Sequence, residues 1–223
     1  MTNQNSHRSR KRVAILISGR GSNMRSLVEA ARAPDYPAEI VVVISNRPDA
    51  AGLAYAKEHG IPALGLDHKR YESREHFEGQ LQSVLTMSKV DLVCCAGFMR
   101  LMTSGFVDKW RDRMLNIHPS LLPSFKGLHT HERALAAGVR VAGCTVHLVR
   151  SEMDEGPIIA QAAVAVMPDD TPDTLAGRIL EAEHRIYPAA LRLIASGQAV
   201  VEGEKVRLIQ QVNQTSALFS PPL

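Results

Sequence analysis

Five short apolar runs alternate with stretches of helical periodicity, and this alternation most narrows what the chain can fold into. The runs are Arg12–Ile17, Glu39–Ser45, Ile61–Leu66, Asp91–Ala96 and Arg113–Ile117. Leu92-Val93-Cys94-Cys95-Ala96 has no polar break, so both of its faces must be covered. Between the runs, helices are predicted over Met24–Arg32, Ala50–His59 and Ser73 to about Met87, with Ser73 and His76 as capping residues and Gly60 as a C-terminal stop. Strand–helix alternation of this length predicts βαβ units and a parallel sheet. The pattern changes from Val141 onward. Val141–Val149 and Ile158–Val166 read as strands joined by a polar loop holding Asp154, Glu155 and Gly156. Thr171-Pro172 opens a long helix to about Ser196, with an expected apolar stripe of Leu175, Ile179, Ile186 and Leu193. Val200–Ile209 reads as a small hairpin. The expected class is α/β: a Rossmann-like, open, mostly parallel twisted sheet with helices on both faces.

At 223 residues and 45% hydrophobic content, the body (12–210) reads as one domain. Residues 1–11 form a basic arm around His7-Arg8-Ser9-Arg10-Lys11-Arg12, and 211–223 a loose tail. The arm has no apolar core and does not read as a secretory signal. No apolar run reaches the length of a membrane span, so no membrane partner is expected. Aromatic content of 4% offers few stacking platforms for nucleic acid, and none is expected as a partner. Cys94, Cys95 and Cys144 are odd in number, and two lie in an apolar run. Buried free thiols in a reducing cytoplasm fit better than disulfides or a metal knuckle.

The chemistry concentrates where the fifth strand ends. Asn116-Ile117-His118-Pro119-Ser120 places an amide and an imidazole before a loop rich in Pro, Ser and Gly. An amide can donate to a developing oxyanion. An imidazole moves protons near neutral pH, and a carboxylate such as Asp154 would orient it and favour its charged form. Ends of strands in open α/β sheets are where ligands bind. No nucleophile motif puts a serine or cysteine beside His118, and Ser120 reads as a loop residue.

Ser18-Gly19-Arg20-Gly21-Ser22-Asn23 links the first strand to the first helix. Its backbone N–H groups and the helix dipole favour an anion. A dinucleotide fingerprint would need a third glycine where Met24 stands, and an acid where Ser45-Asn46-Arg47 stands. A lone phosphate, as on a ribose 5-phosphate, fits better than NAD. Arg20 either adds a cation beside that phosphate or points to solvent. His129 and His131 flank a helix start, where capping or solvent roles are expected, and no metal site is expected.

Together these segments resemble the folate-dependent phosphoribosylglycinamide formyltransferases of purine synthesis. The resemblance is carried by Ile15–Asn23, Ser45–Ala50, Ala96–Arg100, Leu115–Pro123, Gly127–His131, Asp154–Ile159 and Glu183–Pro188, in order over about 12–197. It implies one catalytic domain that passes the formyl group of 10-formyltetrahydrofolate, a co-substrate, to the amine of glycinamide ribonucleotide. It implies Asn116, His118 and Asp154 as the catalytic trio. Gly21, Ser22 and Asn23 would hold the phosphate, and Glu183 the same substrate through its ribose hydroxyls. Met99, Arg100, Leu101, Met102, Asn116 and the segment Arg150, Ser151, Glu152, Met153, Asp154 would line the folate pocket. Arg74 would meet the anionic glutamate end of the folate.

Three alternatives remain open on sequence. A formyltetrahydrofolate hydrolase shares the catalytic trio but would be expected to carry a further N-terminal domain. A methionyl-tRNA formyltransferase would want more chain after the long helix. A non-catalytic phosphoribosyl-binding module would keep the glycine loop without needing the trio. A homodimer is compatible with the sequence.

Overall fold

The computed structural model describes residues 10–209 and Ser220. The basic arm before Arg10, and the tail apart from Ser220, lie outside the described residues. The elements follow as β1 Lys11–Ile17, α1 Ser22–Ala31, β2 Ala38–Ser45, α2 Ala51–Glu58, β3 Ala63–Gly65, α3 Arg74–Met87, β4 Leu92–Cys95, α4 Ser104–Lys109, β5 Met114–His118, α5 Thr130–Ala136, β6 Val141–Leu148, β7 Ile158–Ala165, α6 Pro172–Ala195, β8 Ala199–Glu202 and β9 Lys205–Leu208. Seven strands form one sheet in the order β3-β2-β1-β4-β5-β6-β7. The first five in sequence run parallel, while β6 and β7 pair antiparallel. β8 and β9 make a separate hairpin.

Period-two alternation explains the layers. Along β1, Val13, Ile15 and Ile17 face α1, α2 and α6, where they meet Leu27, Leu53, Tyr187 and Leu191. Ala14 and Leu16 face the other side, packing with Phe77, Leu81 and Leu85 of α3 and with Trp110. Burial on both faces is why these strands carry almost no polar residue.

Strand order reverses direction at β1, with β2 on one side and β4 on the other. The loops after β1 and β4 therefore diverge and leave a crevice at the strand ends. Two hydroxyls hold this region. Tyr187 donates to the carbonyl oxygens of Cys95 (3.0 Å) and Leu115 (3.2 Å), tying α6 to β4 and β5. Ser18 Oγ donates to Asn46 Oδ1 at 2.6 Å and accepts the Met99 N–H at 2.8 Å, tying the glycine loop to the loop after β4.

Several elements differ from the sequence reading. β1 begins at Lys11, and the Arg10 side chain donates to the carbonyl oxygens of Ala31 and Ala38, so these two residues belong to the body. α4 is a short helix within the loop after β4, whereas α5 begins at Thr130, between His129 and His131, where a helix start is expected. The buried stripe of α6 is Leu175, Ile179, Glu183, Tyr187 and Leu191, while Ile186 and Leu193 are only half-buried. A four-residue step drifts slowly around a helix, so this stripe follows the sheet surface, and it places a carboxylate among apolar neighbours. The start of α6 carries a capping box in which Thr171 and Thr174 satisfy each other's backbone N–H.

Candidate active site

Two adjoining cavities open at the carboxyl ends of the parallel strands. The larger, about 680 Å3, is lined by Asn116, His118, His147, Asp154, Glu183 and the loop after β4. The smaller, about 480 Å3, is built on the glycine loop with Arg20, Asn46, Arg47 and His68. Asn23, Gly97, Met99 and Arg100 line both.

β5 delivers Asn116 and His118 to the floor of the larger cavity, two residues apart and so on one face. Asp154 comes from the β6–β7 loop. Its Oδ2 lies 3.4 Å from His118 Nδ1, with both side chains nearly buried, and accepts the Gly127 N–H at 2.8 Å. His118 Nε2 lies 3.0 Å from the Phe125 carbonyl oxygen. Both ring nitrogens face acceptors, so a protonated ring can donate on both sides.

A further histidine, not singled out by the sequence, completes this network. Antiparallel pairing sets His147 of β6 opposite Asn116, and Thr145 opposite His118. His147 Nδ1 donates to the Leu148 carbonyl oxygen at 3.1 Å, leaving Nε2 to accept from Asn116 Nδ2 at 3.2 Å. Burial lowers the His147 pKa, which favours the neutral ring as an acceptor. One N–H of Asn116 is thereby anchored and the other is free to serve a ligand. Thr145 holds the loop after His118 by accepting the Leu122 N–H at 3.0 Å and donating to the Ser120 carbonyl oxygen at 2.7 Å. Only the strand register reveals these two partners.

The glycine loop reaches α1 through Gly21, at φ 72°, leaving the first N–H groups of the helix unused by helical bonding. A Cβ at Gly21 would lie 2.8 Å from Met24 Cε. Gly21→Val is expected to raise the KM for a phosphorylated substrate much more than that for the other substrate, because a side chain at this positive φ displaces the N–H groups that would receive a phosphate. Equal rises in both constants would show a general loss of structure instead. Arg20 is exposed at the wall of the smaller cavity, with no hydrogen bond or ion pair to the described residues. Arg47 is paired with Asp49 at 3.2 Å, and no carboxylate lines this cavity.

Asn23 joins the two cavities. Its Nδ2 donates to Glu183 Oε2 at 2.6 Å, and its buried Oδ1 has no partner among the described residues. An unpartnered buried acceptor costs stability unless a ligand donates to it. Burial raises the Glu183 pKa, with the Asn23 hydrogen bond acting in the opposite sense. A raised folded-state pKa means that ionisation opposes folding, so stability is lost as pH climbs above the unfolded value of about 4.3. Glu183→Gln is therefore expected to melt above the wild type at pH 8, to lose that advantage near pH 4, and to bind a ribose-containing substrate more weakly. Thermal scans at the two pH values and a KM comparison check this.

The remaining expected site residues are placed as follows. Met99, Arg100, Leu101, Met102, Arg150, Ser151, Glu152 and Met153 line the larger cavity, while Gly21 and Ser22 line the smaller. Met99, Leu101 and Met153 are exposed at the wall of the larger cavity. The Arg150 side chain is 7% exposed, and its guanidinium is held by Asp112 and Glu204. Arg74 is the exposed first residue of α3 and does not line the cavity, although Arg100 stacks over Phe77 one turn further along that helix. His129 precedes α5 without a side-chain cap, and both it and His131 line the larger cavity. His131 Nε2 is buried without a partner among the described residues, so a solvent role does not fit it.

Cys94, Cys95 and Cys144 are unpaired and buried, and burial pushes the thiols of Cys95 and Cys144 up to about 12. Among the described residues, no group of three or more His, Cys, Asp or Glu side chains could hold a metal. No helix among them is long and apolar enough to cross a membrane.

The chain is 51% identical over 198 residues to the human trifunctional purine biosynthetic protein adenosine-3, covering 88% of this chain but 20% of that protein. It thus spans about a fifth or less of the length of such multifunctional relatives. It is 40% identical to the phosphoribosylglycinamide formyltransferase of Escherichia coli, covering 83% of this chain and 88% of that one. Among solved structures, a glycinamide ribonucleotide transformylase from Symbiobacterium toebii superposes with a TM-score of 0.87 at 48% identity, over 90% of this chain and 95% of that chain. A formyltetrahydrofolate deformylase from Burkholderia mallei is more distant, at 27% identity and a TM-score of 0.82 over 91% of this chain and 71% of that chain. Residues 11–191, from the first strand to the buried stripe of α6, match the formyl transferase family, and the chain belongs to that family.

Proposed function

We propose that this protein transfers the formyl group of 10-formyltetrahydrofolate to the amine of glycinamide ribonucleotide, a step of purine synthesis. The observation that carries the reading is the Asn23–Glu183 contact, which joins an anion-favouring cavity to the one where Asn116, His118 and Asp154 converge. The phosphate would take the N–H groups of Gly21, Ser22 and Asn23, with Arg20 supplying a cation. The ribose hydroxyls would donate to Asn23 Oδ1 and Glu183. The folate would lie along Met99–Met102 and Arg150–Asp154, with its glutamate end extending out of the cavity toward the exposed Arg74.

The amine nitrogen attacks the formyl carbon, and the C=O π pair moves onto oxygen. The free N–H of Asn116 stabilises that oxyanion. His118, held by Asp154 and the Phe125 carbonyl, passes a proton between the attacking amine and the departing folate nitrogen. Collapse of the intermediate breaks the bond from carbon to the folate nitrogen, which takes the proton, yielding the N-formylated ribonucleotide and tetrahydrofolate. No step calls for a metal or a covalent enzyme intermediate.

The partners of this reading are two small molecules, with neither nucleic acid nor membrane. The buried thiols suit a cytoplasmic location. A homodimer is compatible with it. Purified protein supplied with both substrates is expected to give the formylated ribonucleotide by mass spectrometry. Release of free formate alone would assign it to the hydrolases, the reading that the likeness to the deformylase keeps in play.

A further inference from the structure

The hairpin β8–β9 lies beyond the residues matched to the family, yet it reaches back to the catalytic loop. Glu204, in its turn, accepts from Arg150 Nε at 2.9 Å and from Arg111 Nη2 at 2.6 Å. Arg150 Nη2 also donates to Asp112 Oδ1 at 2.7 Å. One carboxylate thus ties the hairpin to the turn before β5, which carries Asn116 and His118, and to the root of the loop carrying Asp154. Val201 and Val206 fasten the hairpin to the main core, so the anchor is not free to drift.

The loop has little slack. Asp154 sits at φ 55°. A Cβ at Gly156 would lie 1.9 Å from the Leu148 carbonyl oxygen and 3.2 Å from Arg150 Cγ, so the returning chain packs directly on the arginine stem. A movement of Arg150 is therefore transmitted to the segment Ser151–Asp154, which walls the larger cavity. The guanidinium itself is held by Asp112 and Glu204.

We propose that Glu204 is a positioning residue for the folate side of the site, acting through the buried guanidinium of Arg150 on the loop that carries Asp154. This rests on the formyl-transfer reading. Without Glu204, a buried cation loses one of its two carboxylates, and the loop must shift to satisfy it. Displacements of this kind, remote from the reacting atoms, are costly when they misplace a substrate or a proton-transfer group.

The test uses the full chain and Glu204→Gln, with Arg150→Met and the double variant to close a cycle. Glu202→Gln is the control, since it breaks the hairpin's own ion pair with Arg207 and leaves Arg150 alone. Glu204→Gln is expected to raise the folate KM about tenfold, with the ribonucleotide KM within about twofold of the wild type. Glu202→Gln should change neither constant. The double variant should be no worse than Arg150→Met, because contacting residues are non-additive. Calorimetric binding of a folate analogue should weaken in parallel. Equal rises in both constants, additive losses, or an unchanged folate KM in an active enzyme overturn the proposal alone. A wild type that neither binds folate nor forms product overturns it together with the formyl-transfer reading.

Discussion

Alanine at Asn116 or at His118 is expected to lower turnover by at least about 100-fold, the usual scale for one oxyanion donor or one acid–base group. The geometry sharpens that expectation. Asn116 has its amide nitrogen held by His147 at 3.2 Å, so the amide is oriented before substrate arrives. His118 is nearly buried, with Asp154 and the Phe125 carbonyl fixing its ring. Preorganised groups of this kind act mainly in the transition state, so kcat should fall with little change in either KM. The losses should also be less than multiplicative in the double variant, because in the proposed mechanism both groups would serve the same tetrahedral intermediate. Steady-state kinetics on variants with wild-type circular dichroism checks this. Near-normal turnover in either single variant would remove that residue from the chemistry.

The parallel half of the sheet was legible because its strands are short apolar runs bounded by turn residues, and because β1 and β4 are buried on both faces. The glycine loop and the Asn116/His118 pair were legible for a related reason, since each lies within a few residues of a strand end. What escaped is non-local. His147 and Thr145 matter through an antiparallel register with β5, and nothing in Thr145-Val146-His147 itself announces that pairing. Arg150 is expected, on the resemblance, only as part of a pocket-lining segment; its partners Asp112 and Glu204 lie 38 and 54 residues away, and they occupy its guanidinium. Glu183 reads as one more charge on a long helix until the buried stripe is seen to run through it. α4, at six residues, is too short to show a helical period.

The second large effect concerns the acceptor. Turnover of the folate alone should be slow, and adding glycinamide ribonucleotide should accelerate it by orders of magnitude with stoichiometric formylation. A positioned nucleophile can be worth an effective concentration of about 10⁵ M or more, far above what water supplies by default. The site offers the means to position one. The smaller cavity presents unused helix N–H groups and Arg20 without any carboxylate, which suits a phosphate. Asn23 Oδ1 and Glu183 lie between that cavity and the catalytic trio, where ribose hydroxyls can satisfy them. An enzyme that delivers the formyl group to water gains nothing from these features, and leaving Asn23 Oδ1 buried and unpaired would simply destabilise it. The acceleration should therefore depend on the phosphoribosyl part, with glycinamide alone a poor activator even at high concentration. Tetrahydrofolate release measured with no amine, with glycinamide and with the ribonucleotide separates the cases. Equal rates in all three, with formate as the product, would place the chain with the hydrolases and leave the smaller cavity without a role in catalysis.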